Sequence, residues 1–151
     1  MKNSIYRTNL FVLLHLPSAF LSGVRVLNVS AESVIVKVKY RWINKNPFKS
    51  MYWATQGMAS ELATGLLLLQ EVSKSNKRIS TLVTAQQGTF TKKAVGTIRF
   101  SCTDSDKVRE VVKQALLTGE GQTVTLVSEG LDASNEIVSR FEYQWSLKLK
   151  Q

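Results

Sequence analysis

The sequence predicts an α+β fold: a curved antiparallel sheet of about six strands wrapped around one long buried helix. Three observations point to it. Ser33–Trp42 and Glu136–Leu149 alternate apolar and polar residues with the period of two that a half-buried strand requires. Ser50–Gln70 repeats apolar residues at helical spacing and is apolar on nearly every side, as a helix enclosed by other elements is. Asp104–Thr118 reads as a second, amphipathic helix ahead of the last two strands. With 151 residues and no internal linker, repeat or low-complexity tract, the chain (1–151) is expected to be a single domain.

The elements follow in order. Residues 1–21 form an N-terminal helical segment; its main helix ends before Pro17, because the residue ahead of a proline avoids the helical region. Val24–Val29 and Ser33–Trp42 make a first hairpin around Ser30-Ala31-Glu32, with Val34, Val36, Val38, Tyr40 and Trp42 on one face. The central helix, residues 50–71, takes Ser50 as N-cap and turns Ala54, Met58, Leu62, Leu66 and Leu69 to one side. Its other side carries Trp53, Leu67 and Leu68, so burial nearly all round is expected. Ile79–Phe90 and Ala94–Cys102 suggest a second hairpin. Gly119 stands where a C-cap glycine ends the 104–118 helix, and Gln122–Ser128 with Glu136–Leu149 forms the closing strand pair.

Composition narrows the function. A single Cys (Cys102) excludes an intramolecular disulfide and a cysteine zinc cluster, and a single His (His15) excludes the two-histidine metal motifs, so no metal is expected. No stretch approaches the roughly 18 apolar residues that cross a bilayer, and a cytoplasmic chain without a membrane partner is expected. Met1–Gly23 partly imitates a secretory signal, with Lys2 and Arg7 ahead of the apolar run Leu10–Leu16. The run is short, His15 interrupts it and no A-x-A site follows; signal and mature helix both stay open. The net charge of +9 raises nucleic acid as a partner, but no basic run exceeds two residues and no RNA-binding motif is present.

One residue breaks the pattern. Glu61 is the only charged residue between Lys49 and Glu71, near the middle of the buried helix, with Gly57 and Gly65 one turn to either side. An unpaired buried carboxylate costs several kcal/mol, so it is paired by a core Gln, Thr or Arg, or it lines a cavity with a raised pKa as a base or nucleophile. Spacing alone leaves both open.

The segment Asn46-Pro-Phe-Lys-Ser-Met-Tyr52, followed by Glu61, resembles the signature of hotdog-fold acyl-CoA thioesterases of the phenylacetate-pathway type. In that family an Asn lies six residues ahead of a His-Gly-Gly turn, and an Asp or Glu lies nine residues after the His. Asn46, Tyr52 and Glu61 keep both spacings, while Tyr52-Trp53-Ala54 replaces His-Gly-Gly. Gln87–Gly96 is similar to the family's strand-loop-strand that contacts acyl chain and pantetheine; with the element order, the resemblance covers about residues 22–150.

The resemblance implies hydrolysis of an acyl-CoA thioester, coenzyme A being carried by the substrate and no separate cofactor being needed. Glu61 is then the base or nucleophile, Asn46 its aide, and Tyr52 a hydrogen-bond donor. The substrate-binding positions are Trp53, Ala54, Gly57, Gln87, Gly88 and Thr89, with Trp53 also placed to plug the acyl pocket. Lys92, Lys93 and Arg99 are candidates for the coenzyme A phosphates. In the family the acid and the Asn come from different subunits, which implies a homodimer or a dimer of dimers. The alternatives are a non-catalytic module that binds acyl-CoA or a fatty acyl group, suggested by the bulk of Tyr52-Trp53, and, third, a nucleic-acid binder.

Overall fold

The computed structural model describes residues 2–150. The elements are α1 (Lys2–His15), α2 (Pro17–Leu21), β1 (Arg25–Val29), β2 (Val34–Lys39), α3 (Trp53–Lys74), β3 (Ile79–Phe90), β4 (Thr97–Cys102), α4 (Ser105–Thr118), β5 (Gln122–Leu131) and β6 (Ile137–Leu149). The strands form one antiparallel sheet in the order β1-β2-β4-β5-β6-β3. Register shifts at Val26/Asn28, Val83/Ala85 and Gly130/Leu131 mark bulges, which bend strands and help the sheet curve.

The inner face of that curve holds α3. Val34, Val36, Val38, Ile98, Phe100, Phe141 and Leu147 are buried in one core with Ala59, Leu62, Ala63, Leu66, Leu67 and Leu68 of the helix. Each fully buried Val, Leu or Phe of this set contributes about 1.5–3 kcal/mol. The side of α3 left less covered runs along Trp53, Gly57 and Glu61 to Leu69, with Trp53 50 % and Leu69 43 % exposed. The expected burial on nearly all sides holds for Leu67 and Leu68 and fails for Trp53 and Leu69.

Four sequence expectations are corrected. The second hairpin does not form: β3 pairs with β6 over its whole length, from Ile79↔Leu149 to Phe90↔Ser139, while β4 pairs with β2 and β5. The two long strands match each other, and the link between β3 and β4 is a tether, the buried Ala94 giving its carbonyl to the Met51 amide (2.8 Å). Second, Trp42 leaves the strand for a 3-10 turn and is 80 % exposed. Buried Asn44 causes this, accepting the Arg41 amide through Oδ1 and donating through Nδ2 to the Lys39 and Ser22 carbonyls. Third, α3 begins at Trp53 with Tyr52 as N-cap, because the Ser50 hydroxyl is engaged by Asn46. Last, α3 runs to Lys74, beyond the predicted end, where Lys74 pairs with Glu71 (2.7 Å).

The N-terminal segment docks on an open sheet edge. Asn9 of α1 accepts the Val26 amide (2.9 Å) and donates to the Val26 carbonyl (3.0 Å), so a side-chain amide takes the place of a neighbouring strand on β1. α1 ends at His15 ahead of Pro17, as the proline dictates. Gly119 caps α4 in the left-handed region (φ 71°). Among the described residues, no helix is long and apolar enough to cross a membrane.

Candidate active site

Of the cavities beside α3, two hold predicted site residues, and the two main candidates, Asn46 and Glu61, divide between them. The first, about 670 Å³, lies at the N-terminus of α3 and is lined by Asn46, Tyr52, Trp53, Gln56, Phe90 and Lys92 among others. Its floor is a tight loop organised by Asn46, whose Oδ1 accepts the amides of Phe48 (2.9 Å) and Ser50 (3.2 Å). Asn46 Nδ2 meets Ser50 Oγ at 3.1 Å and only grazes the Met51 carbonyl at 3.5 Å. Lys49 completes the loop in the left-handed region (φ 59°). The Tyr52 carbonyl takes the amides of Thr55 and Gln56, which leaves those of Trp53 and Ala54 unpartnered among the described residues, at the positive end of the helix dipole. Tyr52 and Trp53 stand half-exposed in an edge-to-face pair (5.9 Å) at the rim.

The second cavity, about 190 Å³, contains Glu61. Its walls are Phe11, Leu16, Leu62, Leu66, Leu69 and Trp145, with His15 from α1 and Thr81 from the edge strand β3. The Glu61 side chain is partly buried, and its carboxylate keeps some contact with solvent and has no hydrogen-bond or ion-pair partner among the described residues; the desolvation pushes its pKa up. Gly65 matters here, because a Cβ at that position would stand 3.3 Å from the Trp145 ring and 3.6 Å from Glu61 Oε1.

A polar ladder along the neighbouring stripe of α3 seats the helix, and sequence reading did not find it. Ser139 donates to Gln56 Oε1 (2.8 Å), the Tyr143 hydroxyl meets Ser60 Oγ (2.6 Å) and the Gly57 carbonyl (3.0 Å), and Trp145 Nε1 donates to Thr64 Oγ1 (3.2 Å). Residues 56, 60 and 64 recur at helical spacing, the one available signal. Burial pushes the Tyr143 phenol up to about 12, and the nearby Glu61 charge adds to it. The ladder fixes the rotation of α3 and so aims Glu61.

The remaining candidates scatter. Ala54 and Gly57 lie on the less covered side of α3. Gln87 and Thr89 are exposed on β3, and Gly88 packs on Phe141, where a Cβ would come within 2.9 Å of the ring. Lys92 is held by Asp132 (2.6 Å) and by Glu136, Lys93 donates to the Phe48 carbonyl (2.9 Å), and Arg99 on β4 donates to Asn135 in the same β5–β6 turn that holds Lys92. Within one chain, Asn46 and Glu61 belong to different cavities. His15, the single histidine of the chain, also lines the acid's cavity.

The architecture has close structural counterparts. A Pseudomonas aeruginosa protein of unknown function described as a probable thioesterase, PA5026, superposes with a TM-score of 0.78 at 23 % identity, over 92 % of this chain and 93 % of that one. A Chlorobaculum tepidum protein of unknown function gives a TM-score of 0.82 at 14 % identity, over 99 % and 96 %. The Escherichia coli PaaI protein from the phenylacetic acid degradation operon gives 0.65 at 9 % identity, over 99 % and 95 %. The fold is the hotdog fold, as the resemblance implied. No curated protein matches the chain. The model of the domain of unknown function DUF4442 matches residues 11–147, and the chain belongs to that family.

Proposed function

We propose that this chain is an acyl-CoA thioesterase, acting in the cytoplasm as a homodimer, with Glu61 as general base or nucleophile. The observation that carries the reading is an unpaired carboxylate of raised pKa facing an apolar cavity, where a proton-accepting or attacking group gains reactivity. The unpartnered Trp53 and Ala54 amides supply the complementary element, donors for the oxygen of a thioester carbonyl as negative charge develops on it. Two hydrolytic routes are open to Glu61: deprotonating a water that attacks the carbonyl, or attacking it directly and being freed by a water in a second step. In both, coenzyme A leaves as the thiol and the acyl group as the acid.

A second copy brings the separated parts together. β3 is a free sheet edge, with Thr81 at the Glu61 cavity and Phe90 at the Asn46 cavity. Antiparallel pairing of two β3 strands about a twofold axis near their midpoint sets the Thr81 end of one against the Gly88–Phe90 end of the other. Glu61 of one protomer then approaches Asn46, Tyr52 and the helix terminus of its partner. Asn46 orients the attacking water with its weakly engaged Nδ2, Tyr52 donates a hydrogen bond, and Trp53, Ala54 and Gly57 border the acyl path. Gln87, Gly88 and Thr89 flank the pantetheine arm. Of the phosphate candidates, Lys93 is the least committed, since Lys92 already serves two carboxylates.

The bulk of Tyr52 and Trp53 at the rim favours a second reading, a module that holds acyl-CoA without turnover. Free-thiol release from a panel of short, medium, long and aryl acyl-CoA thioesters separates the two, alongside sedimentation of the protein. Hydrolysis by a dimer supports the enzyme. Binding without thiol release supports the module, and a monomer at assay concentration overturns the shared site.

A further inference from the structure

The outer face of the sheet, turned away from α3 and both cavities, concentrates positive charge where the chain has no acid to balance it. From Ser33 to Ser60 there is no Asp or Glu. Pairing sets Arg25 opposite Lys37, and Lys37 opposite Arg99, in a row across β1, β2 and β4, with Lys39 and Arg41 next along the chain. Val36 and Val38 point inward and are fully buried, so the exposed Lys37 and Lys39 point outward. Directly opposed like charges destabilise a sheet, and among the described residues none of the five has an ion-pair partner. The cations therefore gather in space although they are dispersed along the sequence.

The cluster is also shaped. Arg25, Lys37, Lys39 and Arg41 line a concave cavity of about 220 Å³ with Gly23 and Thr97. Arg25 is anchored before any ligand arrives: its Nη1 donates to the carbonyls of Phe20 (2.6 Å) and Val24 (2.7 Å), and its guanidinium lies 3.4 Å over the Phe20 ring. The other guanidinium hydrogens remain to fork onto an anion. The patch is short. Three strands span about 10 Å, and Ile35 and Ser101 end it along the strands, with Glu129 beyond on β5.

We propose that this face binds a compact anion carrying two or more phosphate groups. The concavity, the fixed guanidinium and the neutral and acidic borders suit a small polyphosphate, whereas a nucleic-acid strand needs a longer basic track. This site does not depend on the thioesterase reading, because binding is read without turnover.

Titration calorimetry with inorganic tripolyphosphate tests it, on the full chain and on Lys37→Ala/Lys39→Ala. The wild type is expected to bind saturably, with affinity falling as salt rises, and the double variant to lose at least about tenfold. Without ligand, the variant should melt at the same temperature as the wild type or higher, because opposed charges are removed; two lysines with a purely structural role would lower it. Coenzyme A and ATP then identify the source of the phosphates. Competition by coenzyme A assigns them to the acyl carrier, competition by ATP alone assigns them to a free nucleotide, and either supports the site. Absent binding, equal binding by both proteins, or lysine-dependent binding of a 20-nucleotide RNA or of anionic vesicles without tripolyphosphate binding overturns it.

Discussion

Replacing Glu61 by Gln keeps the shape of the side chain and removes its charge, and it should stabilise the protein at neutral and alkaline pH. The carboxylate has no partner to lose and is held up in pKa by burial alone. Leaving a fully buried polar group unsatisfied costs about 1–3 kcal/mol, and the Glu61 oxygens, which keep some contact with solvent, stand at the lower end of that range. For a domain near 150 residues, 1 kcal/mol moves Tm by about 2–4 °C, so a rise of a few degrees at pH 8 is expected. The sign follows from the raised pKa. The folded state holds this proton more tightly than the unfolded chain, so stability is full below the unfolded glutamate range and falls as pH rises through the higher folded value. Thermal melts of both proteins from pH 4 to pH 9 should therefore converge at the acid end and separate toward the alkaline end. A variant that melts lower than the wild type at pH 8, with a gap that narrows on acidification, would show that the charged form of Glu61 is satisfied and would refute the argument.

Other substitutions test the frame that aims this acid. Tyr143→Phe removes the hydroxyl shared with Ser60 and the Gly57 carbonyl and should cost about 0.5–1.5 kcal/mol by urea denaturation, with the m-value unchanged. Gly130→Ala places a Cβ 2.5 Å from the buried Phe100 ring and should cost about 1–3 kcal/mol in the same assay. Asn9→Ala strips both backbone groups of Val26 of their partner and should speed hydrogen exchange of the Val26 amide while leaving that of Val36 slow.

The parts of the fold legible in the sequence are those in which one physical rule acts alone. Alternation located β6 and most of β2, helical period located α3 and α4, and Gly119 marked the end of α4, since each depends on burial or backbone sterics of a single segment. Trp42 was misplaced because a side chain overrode alternation: Asn44 bonds three backbone groups and turns the chain out of the strand. The partner of β3 was misassigned because local pattern does not specify which distant strand completes a sheet. Glu61 was legible because a lone acid among apolar residues is improbable at random and needs a cause. The division of Asn46 and Glu61 between two cavities was not, because it depends on how the sheet carries β3 past α3. The full basic face was not legible for a similar reason: Lys37, Lys39 and Arg41 share one strand in sequence, but only strand pairing brings Arg25 and Arg99 beside them.

The measurement closest to the central claim is the rate of thiol release from the best acyl-CoA substrate by wild-type protein and by Glu61→Gln, at matched folding and oligomeric state. If Glu61 is the base or nucleophile, the variant loses at least about 100-fold in kcat while remaining at least as stable as the wild type. An unchanged kcat in the folded variant would contradict the account and leave Glu61 without a chemical role.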